Sequence, residues 1–347
     1  MTLNIAAQES PALSATELHA AATVVEGSTV IELSEAHLDR IRRGGVTAVN
    51  HTVTRPYADT VTALREVNQC RRWIDGHADR VLLATSVADI ERAKAEGKEA
   101  VILGPQDTEM IGVDLDLLGT FYDLGVRILQ LTYQRQNLLG AGCGESVDPG
   151  LTHKGRVFVE AMNEIGIVVD VSHCGQRTGL DAMEVSSTPV VVTHSFCDAI
   201  SPHIRAKDDA FLRTLGQQGG VIGITTLSGF LYYPDEPTRR PDLTRFVEHL
   251  SHVVEVAGID HVAIATDYDE TLTEAMRAEQ LKDKEFKSLL GDWKWEERRA
   301  IGMDDAADFP NFTEALLAGG FSPADVTKVL GGNWLRVFGE AWSPAGR

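Results

Sequence analysis

Residues 165–175 read IGIVVDVSHCG, a nearly unbroken apolar run that stops on Ser172 and His173. A short β-branched run bounded by glycine is the pattern of a strand buried on both faces, as in a parallel sheet. A packed core has no use for an imidazole at its end. A site gathered at the carboxyl ends of barrel strands does.

The pattern recurs outward in both directions. Similar runs stand at 23–26 (TVVE), 46–52 (VTAVNHT), 100–106 (AVILGPQ), 127–133 (RILQLTY), 189–194 (PVVVTH), 220–226 (GVIGITT) and 261–267 (HVAIATD), with an additional one at 81–86 (VLLATS). Between them lie helical patterns such as VADIERAKAEGK, GRVFVEAMNEIG and LTRFVEHLSHVVEVAG, several closed by a glycine suited to a helix C-cap. Strand followed by helix, about eight times over, predicts an α/β fold of the (β/α)8 (TIM) barrel type, with residues 1–347 as one domain. The alternative is an open doubly wound sheet, but no G-x-G-x-x-G follows the first strand. The sequence ADVTKVLGGNWLRVFGEAW predicts a closing helix packed on the barrel wall.

The chain has 347 residues, 43% of them hydrophobic, and a net charge of −19. That charge disfavours nucleic acid and anionic membrane surfaces as partners. Four cysteines, Cys70, Cys143, Cys174 and Cys197, form no C-x-x-C pair. They read as reduced thiols in a cytoplasmic protein. The first residues lack the basic and apolar regions of a secretory signal, and no apolar run approaches the roughly 20 residues of a spanning helix. Residues 269–308 are charged and weakly periodic. They are expected to form a helical, lid-like insertion after the last strand, with Trp293 and Trp295 either on the lid or partly buried in surface helices.

Polar residues close several runs: Gln106, Tyr133, His173, His194 and Asp267. A lone histidine at a strand end is usually a hydrogen-bonded structural residue. Two histidines on neighbouring strands plus a terminal aspartate are what a catalytic zinc ion requires. There is no phosphate-binding loop with its lysine and no G-x-S-x-G elbow.

On these residues the chain resembles the membrane (renal) dipeptidase family of the amidohydrolase superfamily over about residues 17–342. The resemblance is carried by GVRILQLTY, DPGLTHKGRVFVEAMNEIGIVVDVSH, TPVVVTHS, HIRAKDDAFLRTLGQQGGVIGI, GIDHVAIATDYD and VLGGNWLRVF. It implies a (β/α)8 barrel that cleaves small dipeptides with two bridged zinc ions. It also implies His173 and His194 as metal ligands, and Asp267 beside the metal-bound water as proton carrier and third ligand. Arg205 matches an arginine that pairs with the substrate carboxylate, against the alternative of a solvated loop arginine. Family members are often dimers, so a homodimer is expected.

The departures from the family fall on the chemistry. Its first strand carries His-x-Asp, where this chain has Ser28 and Val30. Its bridging glutamate falls on Gln106, and a substrate-binding histidine falls on Tyr133. Two adjacent cations need an anionic bridge, so one zinc ion is expected rather than two, with none as the further alternative. Asp107, His51 and Cys174 are candidate substitute ligands, although Cys174, next to His173 in an extended chain, would point to the opposite face. The Gly-rich loop QNLLGAGCGE is expected to shape a pocket. Three readings stand open. The first is a metal-dependent hydrolase of a dipeptide or related small amide. The second is a non-hydrolytic enzyme acting on a small carboxylate, and the third an inert barrel that binds a ligand.

Overall fold

The computed structural model describes residues 13–30, 32–269, 273–282, 287 and 294–342. Among the described residues nine strands run in chain order: β1 Val25–Thr29, β2 Ala48–His51, β3 Val81–Leu83, β4 Glu99–Leu103, β5 Ile128–Gln130, β6 Val168–Asp170, β7 Val191–Ser195, β8 Val221–Ile224 and β9 Val262–Ile264. All ladders are parallel, in the orders β1-β2-β4-β3 and β5-β6-β7-β8-β9.

Two seams close these sheets into a barrel. A parallel bridge joins Leu103 to Val126, and the Arg127 amide donates to the Leu103 carbonyl at 3.1 Å. On the other side Thr29 bridges Tyr268, the Asp267 amide donates to Ser28 at 3.0 Å, and the Val30 amide donates to Tyr268 at 2.7 Å. The open-sheet alternative is thereby excluded. The eight principal runs supply the eight barrel strands, and the additional run supplies β3, a short strand beside β4.

Each strand splits its side chains by the two-residue period. Val24, Val49, Val101, Leu129, Val169, Val192, Ile222 and Ile264 join the layer under the helices, while Val25, Ala48, Ala100, Ile128, Val168, Val191, Val221 and Ala263 meet inside the barrel. Trp334, Phe338 and Trp342 of the helix Asn333–Ala341 and its cap join the inner cluster. The last helix therefore plugs the amino-terminal mouth rather than packing on the wall. Glycine makes room for it: a Cβ on Gly27 would lie 2.6 Å from the Trp334 ring. The Trp334 indole donates to the Ile264 carbonyl at 3.2 Å.

Local signals set the helix ends. Thr152 caps the helix His153–Ile165 by accepting from the Gly155 amide, and Gly166 ends it at φ 90°. That left-handed turn delivers the chain straight into β6. No helix among the described residues is long and apolar enough to cross a membrane. All four cysteines are buried free thiols.

Candidate active site

β6 ends at Asp170, so His173 stands three residues beyond the strand, in a turn. Asp170 organises that turn. Its carboxylate accepts from the Ser172 amide at 2.9 Å, the Ser172 hydroxyl at 2.5 Å, the Thr193 amide at 3.1 Å and the Thr193 hydroxyl at 2.6 Å. One buried group thus ties the carboxyl ends of β6 and β7 together.

The two histidines meet as a result. Their Nε2 atoms are 2.9 Å apart, and both rings are buried. Thr193 Oγ1 lies 2.9 Å from His194 Nδ1. Because that hydroxyl donates to Asp170, it accepts from Nδ1–H, which leaves the His194 Nε2 lone pair facing His173. His173 Nδ1 is buried without a partner. Burial, reinforced by Arg205 and Lys207, holds both imidazoles well below the ordinary histidine range, so both are neutral. Tyr133 stacks on the His173 ring at 4.1 Å between centroids. The Gly-rich loop holds the His173 turn from behind, with the Cys143 amide donating to the His173 carbonyl at 2.7 Å. A Cβ on Gly142 would lie 2.3 Å from the Gln134 backbone, so that close approach requires glycine.

Asp267 follows β9 by three residues and adopts φ 56°, left-handed backbone that aspartate tolerates better than most residues. Burial pushes its carboxyl up to about 7, with Arg205 opposing and Asp269 adding to the rise. Asp267, His173, Arg205, Tyr133 and Gln106 line one cavity of about 170 Å³. His194 reaches it through His173. All six residues singled out at strand ends and in HIRAKDD are therefore brought to one place.

Arg205 is not a solvated loop residue. It is 2% exposed, donates through Nη1 to the Ser172 carbonyl and through Nη2 to the His194 carbonyl at 3.1 Å, and its Nε has no partner. Gln106 donates to Thr52 Oγ1 at 2.9 Å and to Ser28 Oγ at 3.4 Å. The candidate substitute ligands do not join the histidine pair. Asp107 accepts the amides of Tyr57 at 2.5 Å and Glu109 at 3.0 Å. His51 lines a neighbouring cavity of about 430 Å³. Cys174 accepts from the Thr132 hydroxyl at 3.2 Å, away from the cavity, and burial raises its thiol to about 11.

Two facing Nε2 atoms, one with an assigned lone pair, suit a single cation held by imidazoles. Ser28, Val30 and Gln106 supply no anionic donor for a second ion, and no cluster of three His, Cys, Asp or Glu side chains poised for a metal exists among the described residues. The histidine pair offers donors for one ion, and no carboxylate stands at residues 28, 30 or 106 to bridge a second.

The stretch after β9 builds much of the cavity wall. Arg277 and Gln280, on the helix Glu274–Gln280, line it together with Arg298 and Arg299. Trp295 is half-buried, with the Arg298 guanidinium 3.9 Å above its ring, whereas Trp293 lies outside the described residues. These arginines, and Asp170, were not singled out in the sequence. Asp170 sits in the quoted D-x-S-H run, a usable signal, while the arginines carry none.

Comparison with known proteins accords with this geometry. The family model described as membrane dipeptidase (peptidase family M19) matches residues 17–289. The dipeptidase tcpJ of Claviceps purpurea is 28% identical over 295 residues, covering 84% of this chain and 61% of that protein, so this chain spans about three-fifths of the relative's length. An amidohydrolase structure from Pseudomonas aeruginosa superposes with a TM-score of 0.88 at 30% identity, covering 95% of this chain and 99% of that one. A metallopeptidase from Rhodobacter sphaeroides, solved with a phosphinate mimic of the dipeptide L-Ala-D-Ala, shares the fold with a TM-score of 0.77 at 21% identity, over 92% of this chain and 99% of its own.

Proposed function

Because this chain belongs to the membrane dipeptidase family of metallopeptidases, we propose that it hydrolyses the amide bond of a dipeptide or related N-acyl amino acid in the cavity at the carboxyl ends of its strands. The observation that carries this is the meeting of a neutral histidine pair, an aspartate of raised pKa and a buried arginine around one cavity.

His173 and His194 would hold one divalent ion, zinc by their chemistry. When bound, it supplies Lewis-acid polarisation of the amide carbonyl. The remaining roles belong to the chain. Arg205 holds the substrate carboxylate as an ion pair, a charge-assisted contact that its engaged Nη atoms orient. Tyr133 and Gln106 flank the substrate and limit its tilt. Asp267 takes a proton from the attacking water as the C–O bond forms, and returns it to the leaving nitrogen as the C–N bond breaks. A carboxyl held near 7 suits both halves of that transfer at neutral pH.

The substrate is a small molecule, and Asp269, Arg277, Gln280, Arg298 and Arg299 form the wall over it; the rest of the expected lid lies partly outside the described residues. The buried free thiols suit a reducing, cytoplasmic compartment, and a homodimer is the expected assembly. A panel of dipeptides and N-acyl amino acids, assayed for amine release before and after chelation and zinc restoration, tests the proposal. Zinc-restored cleavage supports it, and amide cleavage indifferent to both treatments rejects the metal role. Ser28, Val30 and Gln106 favour one second reading, non-hydrolytic chemistry on a small carboxylate, which would change substrate mass without adding water.

A further inference from the structure

Three guanidinium groups line the cavity without a carboxylate partner. Among the described residues, Arg205, Arg298 and Arg299 form no ion pair. Each spends its donors on backbone carbonyls: Arg205 on Ser172 and His194, Arg298 on Trp295 at 3.0 Å, and Arg299 on Asp269 at 3.2 Å. The Nε atoms of Arg205 and Arg298 are buried and have no acceptor at all.

This is a costly arrangement in a chain with 51 acidic and 32 basic residues, where a carboxylate partner is easily supplied. The cavity lining sets four arginines, Arg205, Arg277, Arg298 and Arg299, against two aspartates, Asp267 and Asp269, and an excess of cations over carboxylates in a cleft is what a site for an anionic ligand requires. The cations also sit on two separate segments. Arg205 follows β7, whereas Arg298 and Arg299 follow β9, where Arg299 is fixed by an antiparallel bridge to Leu227. One substrate carboxylate at Arg205 leaves two guanidinium groups at the second position with Asp269 as the one cavity-lining carboxylate near them.

We propose that the substrate carries two acidic groups, its α-carboxylate on Arg205 and a side-chain carboxylate on the Arg298–Arg299 pair. Its class is an aminoacyl or N-acyl derivative of aspartate or glutamate. The acyl portion has room, because Val30, Thr52 and Pro56 line both this cavity and the adjoining one, which is bounded by Leu33 and Trp73. Val30, which stands where the family has a metal-binding aspartate, is thus part of the wall between the two.

The inference rests on the hydrolase reading only for the amide bond, and the two-anion requirement is read by binding alone. The full-length, zinc-supplemented chain is titrated calorimetrically with N-acetyl-glutamate, N-acetyl-aspartate and their N-acetyl-glutamine and N-acetyl-asparagine isosteres. The dicarboxylates are expected to bind at least about tenfold tighter, the factor one charge-assisted hydrogen bond is worth. Arg298→Gln with Arg299→Gln should abolish that preference, bringing dicarboxylate and amide isostere affinities to the same value. Arg298→Gln alone, which gives up one hydrogen bond to the Trp295 carbonyl, should reduce it if the double variant does not fold. Equal affinities, a preference that survives these changes, or no binding of any of the four overturns the inference. Tight dicarboxylate binding without amine release from matched dipeptides overturns the hydrolase reading and leaves this one standing.

Discussion

His173 and His194 present their Nε2 atoms to each other across 2.9 Å, with the ring planes inclined at 61°. Two neutral imidazoles in that relation either share one N–H···N bond or offer two lone pairs to one cation. With Ser28, Val30 and Gln106 at the other expected ligand positions, the capacity we propose is one divalent ion per chain. Protein purified without chelators is expected to hold no more than one equivalent of zinc by plasma emission analysis, and His173→Ala or His194→Ala to hold none. Two equivalents would mean that donors outside this pair complete a second site.

Thr193 is the link between the Asp170 network and the His194 ring. Thr193→Val keeps the shape but leaves an Asp170 oxygen and His194 Nδ1 without their partner, 2.6 and 2.9 Å away. An unsatisfied buried polar group costs about 1–3 kcal/mol, and loss of a metal ligand's outer partner typically costs about 10- to 100-fold in metal affinity. Thr193→Val is therefore expected to lower the denaturant midpoint and weaken zinc binding together. Thr193→Ser, which keeps the hydroxyl, should restore both.

Much of this was legible in the sequence, for a physical reason. Strands buried on both faces must be apolar throughout, so all eight barrel strands announced themselves, and His173, His194 and Asp267 were conspicuous because they ended such runs. The strand limits were less legible. β6 stops at Asp170, because Asp170 turns the chain by binding the Ser172 amide, and apolarity does not record that. The place of the last helix was hidden as well. Trp334 looks like any wall residue until Gly27 and Gly223 are seen to clear space for it inside the barrel. The cavity arginines after β9, Arg277, Arg298 and Arg299, were invisible, since a charged, weakly periodic stretch has the composition of a solvated surface wherever it folds.

Glu26 predicts a pH dependence of stability. It is 2% exposed, one oxygen accepts the amides of Ser28 at 2.9 Å and Thr266 at 2.8 Å, and the other has no partner. Burial, with a smaller push from Asp267, raises its carboxyl from 4.5 to about 7. Between those values the folded chain holds a proton that the unfolded chain has lost, so stability falls as pH rises through that window. At about 1.4 kcal/mol per unit the loss is about 3 kcal/mol by pH 7. Glu26→Gln, which mimics the protonated acid, should gain stability relative to the parent as pH goes from 5 to 8. Chemical denaturation at both values measures it, and a constant difference between the two proteins would contradict the shift.

Asp267 offers a test in which chemistry separates cleanly from folding. Its φ of 56° would strain most replacements, but asparagine is among the residues that accept left-handed backbone most readily. Asp267→Asn thus preserves the turn and the volume while removing the proton acceptor. It also removes a carboxyl that is costly to ionise in its buried site, so the variant should be as stable as the parent at neutral pH or slightly more so. Loss of a positioned general base costs typically about 10²- to 10⁴-fold in rate. The expected result is therefore a fall of that size in kcat on the best amide substrate, with an unchanged melting temperature and unchanged zinc content. Retained activity would move the proton transfer to another group. Lost zinc would instead assign Asp267 to the metal, because the turn itself gives no other reason for the ion to leave.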